Sequence, residues 1–155
     1  MSVITEKDVI TAVKLCMKEL RKKKYEFNLK SSDTKTALNC LKIYNRKNGR
    51  SRAGFYSLKI NLQCWQFGNK QWSEYKRLRD NKVFGSIDVV DDRDILMCLV
   101  AHEVAHFVQY TCWSAMPEYL RKKCMKDRGH GEGFQTIYRY LRGGLVNPII
   151  ESKRT

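Results

Sequence analysis

Five consecutive residues, His102-Glu103-Val104-Ala105-His106, set two imidazoles four positions apart with a carboxylate between them. Four helical residues rotate by about 400°, so both rings leave one face, one turn apart, and can grip a single ion. Glu103 then lies where a carboxylate reaches water at that ion, the arrangement of a hydrolytic metal centre with its own general base. The chain has one further histidine, His130, between Gly129 and Gly131. A catalytic zinc site takes three protein ligands and keeps a fourth position open, so His102, His106 and His130 complete the protein half of such a site. A solvated loop position is the other reading of His130, with Glu132 or Cys124 then as third ligand. Glu132, two residues on, would point elsewhere on a helix, and Cys124 would suit a closed structural site.

This chemistry needs a buried helix to carry it, and the residues ahead of the motif supply one. Ile95 to Ala101 are apolar on every side, the mark of a helix enclosed by the fold. Asp91 to Asp94 suit its start, where carboxylates cap free amides and meet the positive end of the helix dipole. At the amino terminus, Thr5 and Asp8 form a capping-box pattern before Val9, Val13, Cys16, Met17 and Leu20, which recur at helical spacing. Leu41 and Ile43 within Thr36–Asn45 read as a strand, and Asn45–Arg52 with its Asn48-Gly49 pair as a turn. Tyr56, Leu58, Ile60 and Leu62 alternate with polar residues, the period of a strand with one buried face. Lys70–Asp80 reads as a short helix, Val83–Val90 as a third strand, and Ser114–Asp127 as a loop or short helix. Phe134, Ile137, Tyr138 and Leu141 mark a helix over Gly129–Leu141 that ends at Gly143 and Gly144.

With 155 residues and 43% apolar composition the chain fits one domain, 1–155. Its longest apolar run is seven residues, so neither a signal peptide nor a spanning helix is expected. The six cysteines have no C-x-x-C spacing, which favours reduced thiols in a cytoplasmic or nucleoid- or nucleus-associated protein. The net charge of +14 is uneven: residues 14–80 carry 18 basic against five acidic side chains, while residues 81–120 have a net charge of −4. A basic half interleaved with Trp65, Trp72 and Tyr75 suits a DNA partner, with bases of a single strand stacked on the aromatics. A solvated basic surface around core aromatics is the competing reading.

Ala101-His102-Glu103-Val104-Ala105-His106 followed by Gly129-His130-Gly131-Glu132-Gly133-Phe134 resembles the SprT-like metalloprotease domain, the family of bacterial SprT proteins and Spartan proteases. The likeness spans about 45 residues between Ile87 and Leu141 and is weaker upstream, at Gly54–Leu62. It implies Zn2+ held by His102, His106 and His130, with Glu103 as catalytic acid and base. It also implies an α+β, zincin-like (minigluzincin-type) domain. Such a domain has an amino-terminal helix, a three-stranded mostly antiparallel sheet, a metal-binding helix and a following helix carrying the third histidine. Gln109 and Cys112 stand where the extended metzincin motif has Gly and His, which excludes that subclass. No cysteine follows Cys124, so the zinc ribbon found after the domain in many relatives is not expected here.

Two functions follow from these residues. In the first, a zinc endopeptidase, the ion polarises the scissile carbonyl and acidifies water while Glu103 carries the proton to the leaving amine. Its substrates are proteins, with those bound or crosslinked to DNA implied by the resemblance; Tyr110, Arg128, Tyr138 and Tyr140 are unranked oxyanion candidates. The second is a basic nucleic-acid-binding or adaptor protein stapled by a structural or silent zinc. Glu103 discriminates, since a structural site has no need of it.

Overall fold

The computed structural model describes residues 3–75, 77–82, 84–126 and 129–155. Val83, the start of an expected strand, and Arg128, an oxyanion candidate, lie outside them.

Helix α1 (Glu6–Arg21) starts with the anticipated capping box: Asp8 N–H donates to Thr5 Oγ1 at 3.3 Å and Thr5 N–H to Asp8 Oδ2 at 2.8 Å. Its buried stripe includes Val9, Val13, Cys16, Met17 and Leu20, and it lies along α4 (Asp92–Thr111). Asp91 caps α4 by accepting from the amides of Arg93 at 2.9 Å and Asp94 at 3.1 Å. Asp94 returns the bond by accepting from Asp91 N–H at 3.4 Å, also accepts from Val90 N–H at 2.8 Å, and pairs with Lys153. Every residue of α4 from Asp94 to Gln109 is buried. A helix without a polar face is stable only when enclosed, and α1, the sheet and the later helices enclose it.

Between these helices run α2 (Lys24–Phe27), α3 (Ser31–Cys40) and the strands β1 (Leu41–Tyr44), β2 (Arg52–Gly54) and β3 (Ser57–Asn61). The sheet order is β1-β3-β2, with β1 parallel to β3 and β2 antiparallel to it. The sheet is therefore mixed rather than mostly antiparallel. Parallel pairing sets Leu41 and Ile43 beside Leu58 and Ile60, which makes one continuous apolar face. The third strand is β2, at the end of the stretch expected to be a turn. Residues 84–90 contribute only β5 (Ile87–Asp88), paired with β4 (Gln71–Trp72) in a separate ribbon. Among the described residues of the helix expected over Lys70–Asp80 there is instead strand β4 and a turn at 77–80, with Trp72 and Glu74 buried in the interior. The expected strand from Thr36 begins only at Leu41, since Asp33 accepts from Lys30 N–H at 2.7 Å and starts α3 there.

After α4 come a 3-10 turn (Trp113–Ala115), α5 (Glu118–Lys126) and α6 (Glu132–Leu141). The chain does not stop being helical at Gly143 and Gly144. It widens into a π-helical turn (Arg142–Val146) and continues as α7 (Asn147–Ser152), turning the Arg142 side chain inward. The architecture is α+β, all six cysteines are free thiols, and no helix among the described residues is long and apolar enough to cross a membrane.

Candidate metal centre

Helix α4 delivers His102, Glu103 and His106 into the interior, where they are 3%, 6% and 9% exposed. His130 precedes α6 rather than lying on it. Gly131 is the N-cap, and Gln135 Nε2 donates to the His130 carbonyl at 2.8 Å, fixing the turn. The Nε2 atom of His130 lies 3.1 Å from that of His102 and 3.2 Å from that of His106. Ligand nitrogens of a tetrahedral zinc, at bond lengths of ~2.0–2.1 Å, stand ~3.3 Å apart. Both distances from His130 match that spacing, and with all three ligand atoms within 4.8 Å of one another the three imidazoles lie close enough to hold one ion. Burial first, then the neighbouring His102 and His130, hold the His106 pKa down to about 3, which keeps that ring neutral as a ligand must be.

A glycine sets the approach of the third ligand. A Cβ on Gly133 would stand 2.6 to 2.8 Å from the Cys124 Cα, backbone nitrogen and Sγ, so α5 and α6 come together only with hydrogen there. Cys124 is buried with its thiol directed to Met116 Sδ, and Glu132 is exposed on the surface opposite Lys123. Both alternative ligands are thus placed elsewhere. Phe134 stacks on His106 at 4.2 Å between ring centroids, and Tyr75 tilts over His130 at 4.7 Å and His102 at 5.3 Å.

Behind the ligands lies a buried polar network that sequence spacing did not disclose. Glu74 Oε1 accepts from Trp72 Nε1 at 2.6 Å, from Arg142 Nη1 at 2.9 Å and from the Tyr138 hydroxyl. Arg142 also donates to the carbonyls of Phe84 at 3.3 Å and Gly85 at 2.8 Å, and to Asn147 Oδ1 at 2.9 Å. Glu74 Oε2 is free of these bonds and faces His102 Nδ1 at 3.8 Å, and neither atom has another partner. Those two buried, orphaned atoms are what a ligating histidine requires: an acceptor behind the ring that selects the Nδ1–H tautomer and leaves Nε2 for metal. Burial alone would raise the Glu74 carboxyl, but His102, Tyr138 and Trp72 together hold it below the ordinary range. Glu74 is the single carboxylate between Asp33 and Asp80, the one trace of it that the sequence offers.

Glu103 lies on the other side, toward β2. Burial pushes its carboxyl up, opposed by His102, the Ala53 amide and Arg52. A cleft of about 480 Å³ opens beside Glu103 and His102, walled by Trp65, Tyr75 and Leu99. Of the oxyanion candidates, Tyr138 is tied to Glu74, Tyr140 reaches Glu26 at 3.4 Å, and Tyr110 stacks on His106 at 6.0 Å. Of the aromatics expected to stack on bases, Trp65 is 76% exposed and Tyr75 is exposed, whereas Trp72 is 4% exposed and holds Glu74. Trp72 is therefore a core residue, because its indole N–H is the donor that the buried carboxylate needs.

No family model, curated protein or solved structure matches this chain.

Proposed function

We propose that this protein is a zinc-dependent endopeptidase of the SprT-like type that acts on proteins associated with nucleic acid. The observation that carries this reading is the convergence of three imidazoles, with His130 Nε2 3.1 and 3.2 Å from the Nε2 atoms of His102 and His106 and all three ligand atoms within 4.8 Å of one another, beside the buried Glu103 of α4. Zinc in that position supplies Lewis acidity toward a scissile carbonyl and brings the pKa of water down to about 7. The protein's own groups do the rest. Glu74 and Gln109 orient the ligand rings from behind, Gln109 Oε1 lying 3.3 Å from His106 Nδ1. Glu103 takes the proton from the attacking water and hands it to the leaving nitrogen, and its raised pKa suits a group that must do both.

The basic half supports the nucleic-acid part of the proposal. Lys42, Lys59 and Arg52 are directly in register across the three strands, all exposed on the solvent face of the sheet. Like charges set opposite one another destabilise a sheet, and a phosphate backbone laid across them relieves that repulsion. Such a partner places the protein in the cytoplasm or with the nucleoid or nucleus. A structural zinc in an adaptor is the second reading, and the buried Glu103 beside an open cleft weighs against it.

The test is zinc stoichiometry together with digestion of an unfolded protein such as casein, before and after chelation. One equivalent of zinc is expected, lost on His130→Ala, with proteolysis that stops on chelation and returns with zinc. Full zinc retention by His130→Ala would overturn the ligand assignment.

A further inference from the structure

The cleft that opens at His102 and Glu103 has a charge that the hydrolytic reading does not use. Besides its aromatic walls it is lined by Arg50 and Arg79. Neither arginine forms an ion pair among the described residues. The two carboxylates that reach the cleft are already engaged: Glu74 Oε1 is held by Arg142, and Glu103 belongs to the reaction.

Both arginines are carried on braced backbone. Asn61, buried beneath the loop that joins β1 to β2, donates to the carbonyls of Arg46 at 2.9 Å and Gly49 at 2.8 Å. Its Oδ1 accepts from Arg46 N–H at 3.2 Å, and the Tyr44 hydroxyl donates to the Arg50 carbonyl. On the opposite side, Gly85 sits so close to the turn that a Cβ there would lie 2.6 Å from the Arg79 carbonyl oxygen. The Trp65 loop is braced as well, with Ser73 N–H donating to Gln66 Oε1 at 2.7 Å and Gln66 Nε2 to the Ser73 carbonyl at 3.1 Å. Two guanidinium groups on fixed backbone beside exposed aromatic faces form a receptor for a planar carboxylate.

We propose that this cleft is a specificity pocket that takes an acidic side chain, Asp or Glu, next to the scissile bond and holds it with Arg50 and Arg79. The proposal rests on the endopeptidase reading, because it assigns the residue that flanks the bond presented to Glu103. A volume of about 480 Å³ lies within the ~300–1,000 Å³ usual for ligand clefts and accepts a whole side chain with its flanking backbone. A peptide brings a single negative charge to the arginines, whereas a polynucleotide strand would carry a phosphate per residue past Glu103 as well.

Two measurements test it and separate its failure from that of the peptidase reading. Peptides identical except for one Glu, Gln or Lys are titrated by fluorescence anisotropy against zinc-loaded Glu103→Gln protein, which binds without turnover. The same sequences are digested by zinc-loaded wild type and the cleavage sites mapped by mass spectrometry. The Glu peptide should bind about tenfold tighter than the Gln peptide, the order expected of two partly exposed ion pairs. That preference should vanish when Arg50→Gln and Arg79→Gln are added, and Arg79→Glu, at unchanged zinc content, should turn it toward the Lys peptide. Equal binding of Glu and Gln peptides, or a preference that survives both substitutions, overturns the pocket. So does an oligothymidylate that competes for the cleft while the peptides do not differ, since the arginines then serve phosphate. A Glu preference in binding with no cleavage of any peptide keeps the pocket and removes the peptidase.

Discussion

Glu74 Oε2 and His102 Nδ1 face each other at 3.8 Å in the interior, each without another partner. The carboxylate comes from the segment just after β4 and the imidazole from α4, so the contact ties α4 to a residue 28 positions upstream. Removing the charge weakens the hold on the ligand ring. Glu74→Gln should therefore lower zinc affinity by about 10–100-fold, the usual cost of losing such a partner. Competition with a chromophoric chelator measures it, and unchanged affinity would mean that Glu74 serves only Trp72, Tyr138 and Arg142.

The same carboxylate makes a separate stability prediction. Arg142 and Glu74 are both buried and meet at 2.9 Å. Breaking a buried pair by removing one member costs about 3–5 kcal/mol because the other is left uncompensated. Arg142→Met should lower the melting temperature of the metal-free protein by roughly 10 °C. Calorimetry decides this, and a shift of one or two degrees would show that the tyrosine and tryptophan donors suffice for Glu74.

The route from sequence to this centre was uneven for physical reasons. The ligand helix was legible because its capping carboxylates, its apolar run and the spacing of His102 and His106 all act locally. His130 stands out as the one remaining histidine, but its place before α6 depends on the Cys124–Gly133 approach, which no local pattern encodes. Glu74 and Arg142 are not legible in the sequence because they are 68 residues apart and each looks like a surface charge until packing encloses both. The mixed sheet is not legible for a related reason. β2 is three residues long, and its pairing depends on β3 inserting between it and β1.

Gly133 is where packing sets the ligand geometry. Its Cβ position is 2.6 Å from the Cys124 Cα. Gly133→Ala must push α6 from α5 and carry the His130 turn with it, although alanine favours a helix by about 1 kcal/mol. Zinc affinity should fall while helical content by circular dichroism is retained. An alanine variant with wild-type affinity would show that the two helices separate without moving the ligand.

Binding to nucleic acid should be dominated by the outer face of the sheet and the loop that joins β1 to β2. With four to six phosphates contacted, affinity for a single-stranded oligonucleotide should drop by about two to three orders of magnitude between 50 and 200 mM salt. Replacing Lys42, Arg46, Lys47 and Lys59 together with Gln should weaken binding and flatten the salt slope at unchanged zinc content. Unaltered affinity would assign the basic face to solubility or to a protein partner.

Comparison of wild type with Glu103→Gln, each carrying one equivalent of zinc, tests the central claim most directly. The amide keeps the shape of the side chain but cannot accept a proton, so metal content and melting temperature should match while proteolysis falls by about 10²–10⁴-fold. Equal proteolysis by the two zinc-loaded proteins would contradict the assignment of Glu103 as the proton carrier and, with it, the peptidase reading of the three-histidine centre.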